Sequence, residues 1–475
     1  MMCQAGHTYP PNAHRGNPLS MSSAIDEPQA TVDRWMEDGL ANFSKGDFAQ
    51  AEEFFRRTLQ TRPGHSDALH LLGEIARHRG RSAEAIELLR DAIAAKGSIA
   101  AFHFSLGCAL QAEERIEEAA AAYREVVALD DGNSQAHELL GGALASLGDR
   151  AGAIAAFDSA LRIDPEMVSA HVNRGLVLLS LGDYARGWEG FEWRWKRPES
   201  QTIRKMFSQT WWDGSDLAGR TILLFAEQGL GDAIQFIRYA PIVATTGARV
   251  VVDCHPQLKA LFRQVSGVAQ VLEDDSDIAR HDLCCPLMSL PRLLGTTLDT
   301  VPAEVPYLSV GKNVVSDWRR KLAVKDERLV GLCWKGNPLY KNDRNRSLRL
   351  AELRPLLACP GVRFVSLQRD LDEEESAISA ELENFTHPGA DFKDTAEIIG
   401  ALDLVISVDT AWAHWAGAIG KPLWLLLPLV PHWCWLLDRK DNPWYPTARL
   451  FRQTRRDDWE DVIESVEHEI VRFLR

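Results

Sequence analysis

Small and large apolar residues recur over the first 200 positions with a period of 34. Glycines stand at Gly39, Gly73, Gly107, Gly141 and Gly175, alanines at Ala51, Ala85, Ala119 and Ala153, and large apolar residues at Phe55, Leu89, Tyr123, Phe157 and Phe191. This period predicts stacked helical hairpins. Each small residue lets two helices approach closely, and the large residue four positions after the alanine fills the groove one turn on. The period divides the region into five units, near 32–65, 66–99, 100–133, 134–167 and 168–201. Pro63, Gly97, Asp131 and Pro165 stand at the closing turns, where such residues are tolerated. The fifth unit breaks the pattern. Gly187 replaces the alanine, and Trp188, Phe191, Trp193 and Trp195 crowd in, which marks a buried joint to the next domain.

Past Trp211-Trp212-Asp213-Gly214 the period changes. Strand-like runs at 221–226, 249–253, 329–333, 362–367, 403–408 and 423–427 alternate with helical stretches. Such alternation predicts parallel sheets covered by helices. Two clusters, about 215–310 and 325–450, are each long enough for one Rossmann-like domain, with a ligand crevice at the carboxyl ends of the strands. Trp459, Ile463, Val466 and Ile470 have the spacing of one helix face. The expected class is α + α/β, an α-solenoid followed by two Rossmann-like lobes. Its segments are 1–30 without regular structure, 32–201 as repeats, 205–315 and 325–455 as the lobes, and 456–475 as a terminal helix.

The chain has 53 basic and 67 acidic side chains, a formal charge of −14, which argues against general binding of nucleic acid or anionic membranes. A nucleotide is still accommodated where glycines, helix ends and a few basic groups gather. No apolar run reaches the roughly 20 residues needed to span a membrane, and the N-terminal residues lack an apolar signal core. Eight cysteines without a regular framework fit buried thiols in a reducing compartment. Together these place the chain in the cytoplasm. Met21 is an alternative start, since nothing before it has a foldable pattern.

Three segments carry candidate chemistry. In Glu227-Gln-Gly229-Leu-Gly231-Asp232, two glycines before a helix let free amides approach an oxygen anion. Asp232 is either the cap of that helix or a general base facing the cleft. Ile234 stands where a dinucleotide site has its third glycine, which argues against a nicotinamide oxidoreductase. In the stretch from Gly331 to Ser347, Lys335, Asn337, Lys341, Arg344 and Arg346 come after a strand and offer donors for a diphosphate. In Val408-Asp409-Thr410-Ala-Trp-Ala-His414, Asp409 and Thr410 cap a helix and present amides to an anion, while His414 is either a packed core histidine or a phosphate contact. Aromatics between Pro428 and Pro446 either stack on a base or sugar or wall the cleft.

The glycine, alanine, aromatic and proline columns of residues 32–200 resemble the tetratricopeptide repeat. In such repeats the first helix of each pair lines the concave face, which places Asp67, His70, Glu74, Arg77 and His78 there, along with Ala101, Phe104, Cys108 and Gln111. That face is expected to hold a protein, with docking or self-association through the repeats as the other use. The second half resembles glycosyltransferases of the GT-B class, most of all the bacterial heptosyltransferase family, through Gly229-Leu-Gly-Asp232 and Asp409-Thr-Ala-x-x-His414. The order of repeats and catalytic region, with Asn337-Pro-Leu-Tyr-Lys341, is similar to the protein O-GlcNAc transferases. The resemblance implies an inverting transfer from a nucleotide sugar to a hydroxyl on a protein acceptor. Asp232 is then the base, Lys341 with Lys335 and Arg344 holds the leaving diphosphate, and Gly229, Gly231, Asn337, Asp409, Thr410 and His414 border the donor. No D-x-D metal pair precedes a suitable turn, and basic groups can take a cation's place, so no metal is expected. The terminal helix is expected to cross back to the first lobe. A scaffold without catalysis, or a transferase acting on lipid-linked or surface polysaccharide, are the alternatives.

Overall fold

The computed structural model describes residues 27–207, 210–273, 281–322, 327–340 and 342–474. Residues 1–26, for which no regular structure is expected, lie outside the described residues; 27–30 open the first helix. The chain forms two compact bodies that part between Ala170 and His171.

The first body is four helical hairpins, α1 (Glu27–Ser44) with α2 (Phe48–Thr61), α3 (Ser66–His78) with α4 (Ser82–Ala95), α5 (Ala100–Ala112) with α6 (Ile116–Leu129), and α7 (Ser134–Leu147) with α8 (Arg150–Ile163). In this body each glycine of the repeating column, Gly39, Gly73, Gly107 and Gly141, meets the large residue of its partner helix. A Cβ on Gly73 would lie 2.7 Å from Leu89, and one on Gly141 would lie 2.7 Å from the ring of Phe157. The columns are therefore two sides of one contact, a missing side chain in the first helix and a large one in the second. Phe55, Leu89, Tyr123 and Phe157 are fully buried as a result. Asp47, Asn133 and Asp149 cap the helices that come after them by accepting from the amides of Gln50, Ala136 and Gly152. The turns inside the hairpins use left-handed residues: Gly46, Gly80 and Gly148, but Glu114 in the third.

The second body opens with the remainder of α9 (Val168–Ser180) and with α10 (Tyr184–Glu192). Here Gly175 opposes backbone. A Cβ on it would lie 2.8 Å from the Gly187 carbonyl oxygen and from the Phe191 nitrogen, so Gly187 brings two helix backbones together where alanine stands in the earlier units. Tyr184 and Trp188, each 1% exposed, enter an aromatic cluster with Phe236, Trp433 and Trp444. The Trp444 indole donates to the Tyr184 hydroxyl at 2.8 Å.

The rest of this body is built on two parallel sheets. The first has the order β1-β5-β2-β3-β4, from β1 (Thr210–Trp211), β2 (Thr221–Phe225), β3 (Arg249–Asp253), β4 (Val268–Val271) and β5 (Leu283–Pro286). The second has the order β11-β10-β9-β6-β7-β8, from β6 (Arg328–Cys333), β7 (Val362–Ser366), β8 (Phe385–Thr386), β9 (Leu404–Val408), β10 (Leu423–Leu427) and β11 (Ala448–Arg452). Strands β9 and β10 are buried throughout, as continuous apolar runs require in a sheet covered on both faces. The terminal helix Glu460–Phe473 corrects one expectation. Its stripe Val462, Ile463, Val466 and Ile470 joins the core of the second sheet with Val362, Leu426 and Phe451, where it was expected to cross to the first.

Candidate functional site

The predicted groups converge where the carboxyl ends of β2 and β9 meet. Gly229 precedes the helix Leu230–Phe236, and Thr410 precedes the helix Ala411–Ala418. The two helices pack so closely that a Cβ on Gly231 would lie 2.8 Å from Cδ2 of His414. The Asp232 carboxylate accepts from the Gly229 amide at 3.2 Å, the reach-back of a capping group. Burial raises its pKa, the nearby His432 works against that, and Asp409 adds to it.

His414 is 5% exposed. Its Nδ1 is 2.9 Å from the Tyr445 hydroxyl, its Nε2 is 3.8 Å from Asp409, and its ring lies 5.0 Å from that of Trp435. Burial pushes its pKa down to about 4 against the opposing pull of Asp409, so the imidazole is neutral at pH 7. Thr410 holds the helix-start position without a side-chain cap bond; its hydroxyl lies 3.1 Å from Ser407 Oγ and 3.6 Å from Cys333 Sγ. Arg346 donates to the Asp409 carbonyl at 2.5 Å, pairs with Asp343 at 3.0 Å, and lies 4.6 Å from the Tyr340 ring.

The remaining basic segment is used differently. Lys335 pairs with Glu375 at 2.6 Å, and Glu375 also accepts from the Trp334 indole at 2.7 Å. Asn337 turns back on its own loop and accepts from the Leu339 amide at 3.0 Å. Arg344 is exposed, and Lys341 lies outside the described residues. The fold thus gathers Gly231, Asp232, Asp409, Thr410, His414 and Arg346, while Lys335 and Asn337 are engaged elsewhere. Sequence reasoning missed Glu375 and Arg238, and reached Tyr445 only as one of the aromatics between Pro428 and Pro446. The Arg238 guanidinium, 3% exposed, donates to the Trp444 carbonyl at 2.6 Å and the Tyr307 hydroxyl at 2.8 Å. These partners lie 206 and 69 positions away, which no local motif could signal.

On the first body, the inner face carries a second set of polar groups. His70, 6% exposed, has Nε2 2.9 Å from Ser105 Oγ and its ring 4.7 Å from that of Phe102. Glu74 pairs with Arg77 at 2.8 Å. Burial pushes the Glu74 carboxyl up, and the Arg77 guanidinium outweighs it and leaves its pKa below the ordinary value. The Tyr123 hydroxyl donates to Gln111 at 2.8 Å. Gly142, beside the tightly packed Gly141, has no atom within 4 Å of the place its Cβ would take.

Residues 37–98, 104–168 and 146–187 match the tetratricopeptide-repeat family model. Protein FlbA of Caulobacter vibrioides is 28% identical over 316 residues, covering 59% of this chain and 51% of its own length. The chain thus spans about half the length of this curated relative. Among solved structures, a MamA structure is 24% identical with a TM-score of 0.33, covering 36% of this chain and 94% of its own. YrrB, described as a TPR protein with an unusual peptide-binding site, is 17% identical with a TM-score of 0.34, covering 38% and 100%. PilF of Pseudomonas aeruginosa is 19% identical with a TM-score of 0.34, covering 47% and 89%.

The first part of the chain is therefore an α-solenoid of tetratricopeptide repeats, and a later α/β region holds two parallel sheets. The expectation of a GT-B glycosyltransferase, heptosyltransferase-like and working from a nucleotide sugar toward protein glycosylation, is corrected by these matches. They show tetratricopeptide repeats within residues 37–187. The physical reason is that paired parallel sheets host many unrelated functions, so short motifs at strand ends do not carry an activity with them. Among the described residues, no helix is long and apolar enough to cross a membrane.

Proposed function

We propose that the chain is a non-catalytic scaffold whose solenoid holds a protein partner on the inner face of α1, α3, α5 and α7. One observation carries this reading. Glycine in a helix interior costs about 1 kcal/mol relative to alanine, and Gly141 has a packing reason in Phe157 whereas Gly142 has none among the described residues. The open space over Gly142 suits the close approach of a partner's backbone. Half-buried Phe104 and Ala145 and the buried thiol of Cys108 give that face an apolar floor, and Gln111 and Ser146 are exposed beside it.

The polar groups of the second body fit a structural role. Asp232 caps its helix, His414 is hydrogen-bonded and packed, and Lys335 is neutralised by Glu375. The seven described cysteines are all buried and none of them forms a disulfide, which supports a reducing, cytoplasmic setting. The test compares the full chain with its Gly142→Leu variant as immobilised baits in cell extract. The wild type is expected to retain a protein that the variant loses, and the purified partner is expected to bind the variant at least about tenfold more weakly. Identical retention by both forms would overturn the reading. Retention of further copies of the chain alone would make this face a self-association surface.

A further inference from the structure

A cavity of about 400 Å³ lies in the second body at the carboxyl ends of β1 and β5, bordered also by the turn Trp193–Lys196 and the helix Pro198–Met206. None of the sequence-predicted site residues lines it. Its place is favourable for a ligand. The chain runs from β2 through β3 to β4 on one side and then returns to set β5 on the other side of β2, and crevices form outside the carboxyl ends at such reversals. Its volume falls in the range of small-molecule sites, about 300–1,000 Å³.

Part of this crevice is already filled by the chain. Arg194, with a side chain 5% exposed, donates to Glu192 at 2.6 Å, Glu227 at 2.9 Å and Ser289 at 2.9 Å. Two of the carboxylates lining the cavity are engaged: Glu192 by Arg194 and Ser289, and Asp213 by the Ser215 amide at 3.0 Å. The third, Glu189, is exposed. Three cations also line the cavity. Lys196 stands 3.4 Å over the Trp193 ring, the Arg204 guanidinium is 5.1 Å from the Trp211 ring, and Arg292 is 3.8 Å from Glu192. Among the described residues no carboxylate pairs with Arg204.

A guanidinium over a half-buried indole gains about 0.5–2 kcal/mol and keeps its planar set of hydrogen-bond donors, as Arg204 does over Trp211. An incoming cation would find Trp193 and Trp211 already covered. An anion would find donors, and its apolar body would find Trp212, Pro286 and Leu293. We propose that this cavity binds a carboxylate carried on an aromatic or apolar body, with Arg204 as its main partner and Arg292 beside it. Bidentate pairing is what a guanidinium offers a carboxylate and an amide cannot accept in the same way.

The full chain can be titrated with 2-naphthylacetate and with its neutral amide, read by calorimetry and ligand-observed NMR. A short peptide ending in Leu-Trp, as free acid and as amide, runs in parallel. At least one acid is expected to bind about tenfold or more tightly than its amide, and the pair that does so tells a free small molecule from a chain terminus. Arg204→Ala and Arg204→Glu are expected to lose acid binding with an unchanged melting temperature, and Arg204→Lys to keep part of it. Equal binding of acid and amide, full binding by Arg204→Ala, or no binding of either acid at about 1 mM would overturn the proposal.

Discussion

Gly141 and Gly142 are neighbours in one helix and answer to different constraints. A methyl on Gly141 must displace the Phe157 ring, so Gly141→Ala is expected to lower stability by about 1–3 kcal/mol in chemical denaturation. A methyl on Gly142 meets nothing, so Gly142→Ala is expected to raise stability by up to about 1 kcal/mol in the same measurement. The 34-residue column made Gly141 legible in the sequence; nothing in the sequence separates its neighbour from it. His414 illustrates another limit. Its place in a small-residue helix left both core and ligand roles open, with the ligand role favoured, and the Tyr445 contact 31 positions away fixes its surroundings. Its pKa falls from an ordinary 6.5 to about 4, so between these values the unfolded chain binds the extra proton. Its contribution is complete above about pH 6.5 and is lost as pH falls through 4, to the extent of about 3 kcal/mol. Glu227 acts in the opposite sense, since its pKa is pushed up to about 7 by burial against the pull of Arg194, so it favours the folded state at lower pH. His414→Gln is therefore expected to flatten the acid limb of the stability curve between pH 4 and 6.5, measured by denaturant titration at each pH.

The hairpins of the solenoid are local objects, and their turns obey local rules. Three hairpin turns of the first body place glycine in the left-handed region, and the third places Glu114 there at φ 58°. A side chain in that conformation costs about 1 kcal/mol, so Glu114→Gly is expected to raise the melting temperature of the repeats by a few degrees. The hairpins and the parallel strands were readable because each declares itself within a window of some ten residues, by a spacing of small and large positions or by a continuous apolar run. Helix Leu230–Phe236 and helix Ala411–Ala418 are also local, but their contact through Gly231 and His414 is not. That contact decides that Asp232 and Asp409 share one environment while Lys335 turns toward Glu375.

At the scale of the whole chain, the second body relies on its last helix. Val462, Ile463, Val466 and Ile470 are each buried in the core of the second sheet, at about 1.5–3 kcal/mol per side chain. Their sum rivals the stability of an entire domain. A chain ending before Glu460 is expected to lose the cooperative unfolding transition of the second body while the repeats still melt, as calorimetry would record. The apolar face of this helix is written in its spacing, but the surface that receives it is not, and the expected crossing to the first sheet was an inference from resemblance. The sequence by itself determined the repeat period and the two sets of parallel strands, because backbone propensity and periodic burial act over short distances. Only the tertiary structure decided which polar groups meet, that Arg194 enters the crevice of the first sheet, and that an aromatic cavity with Arg204 over Trp211 remains beside it. Those outcomes depend on contacts between residues tens to hundreds of positions apart, where packing and the pairing of buried charge choose among arrangements that the local pattern leaves equal.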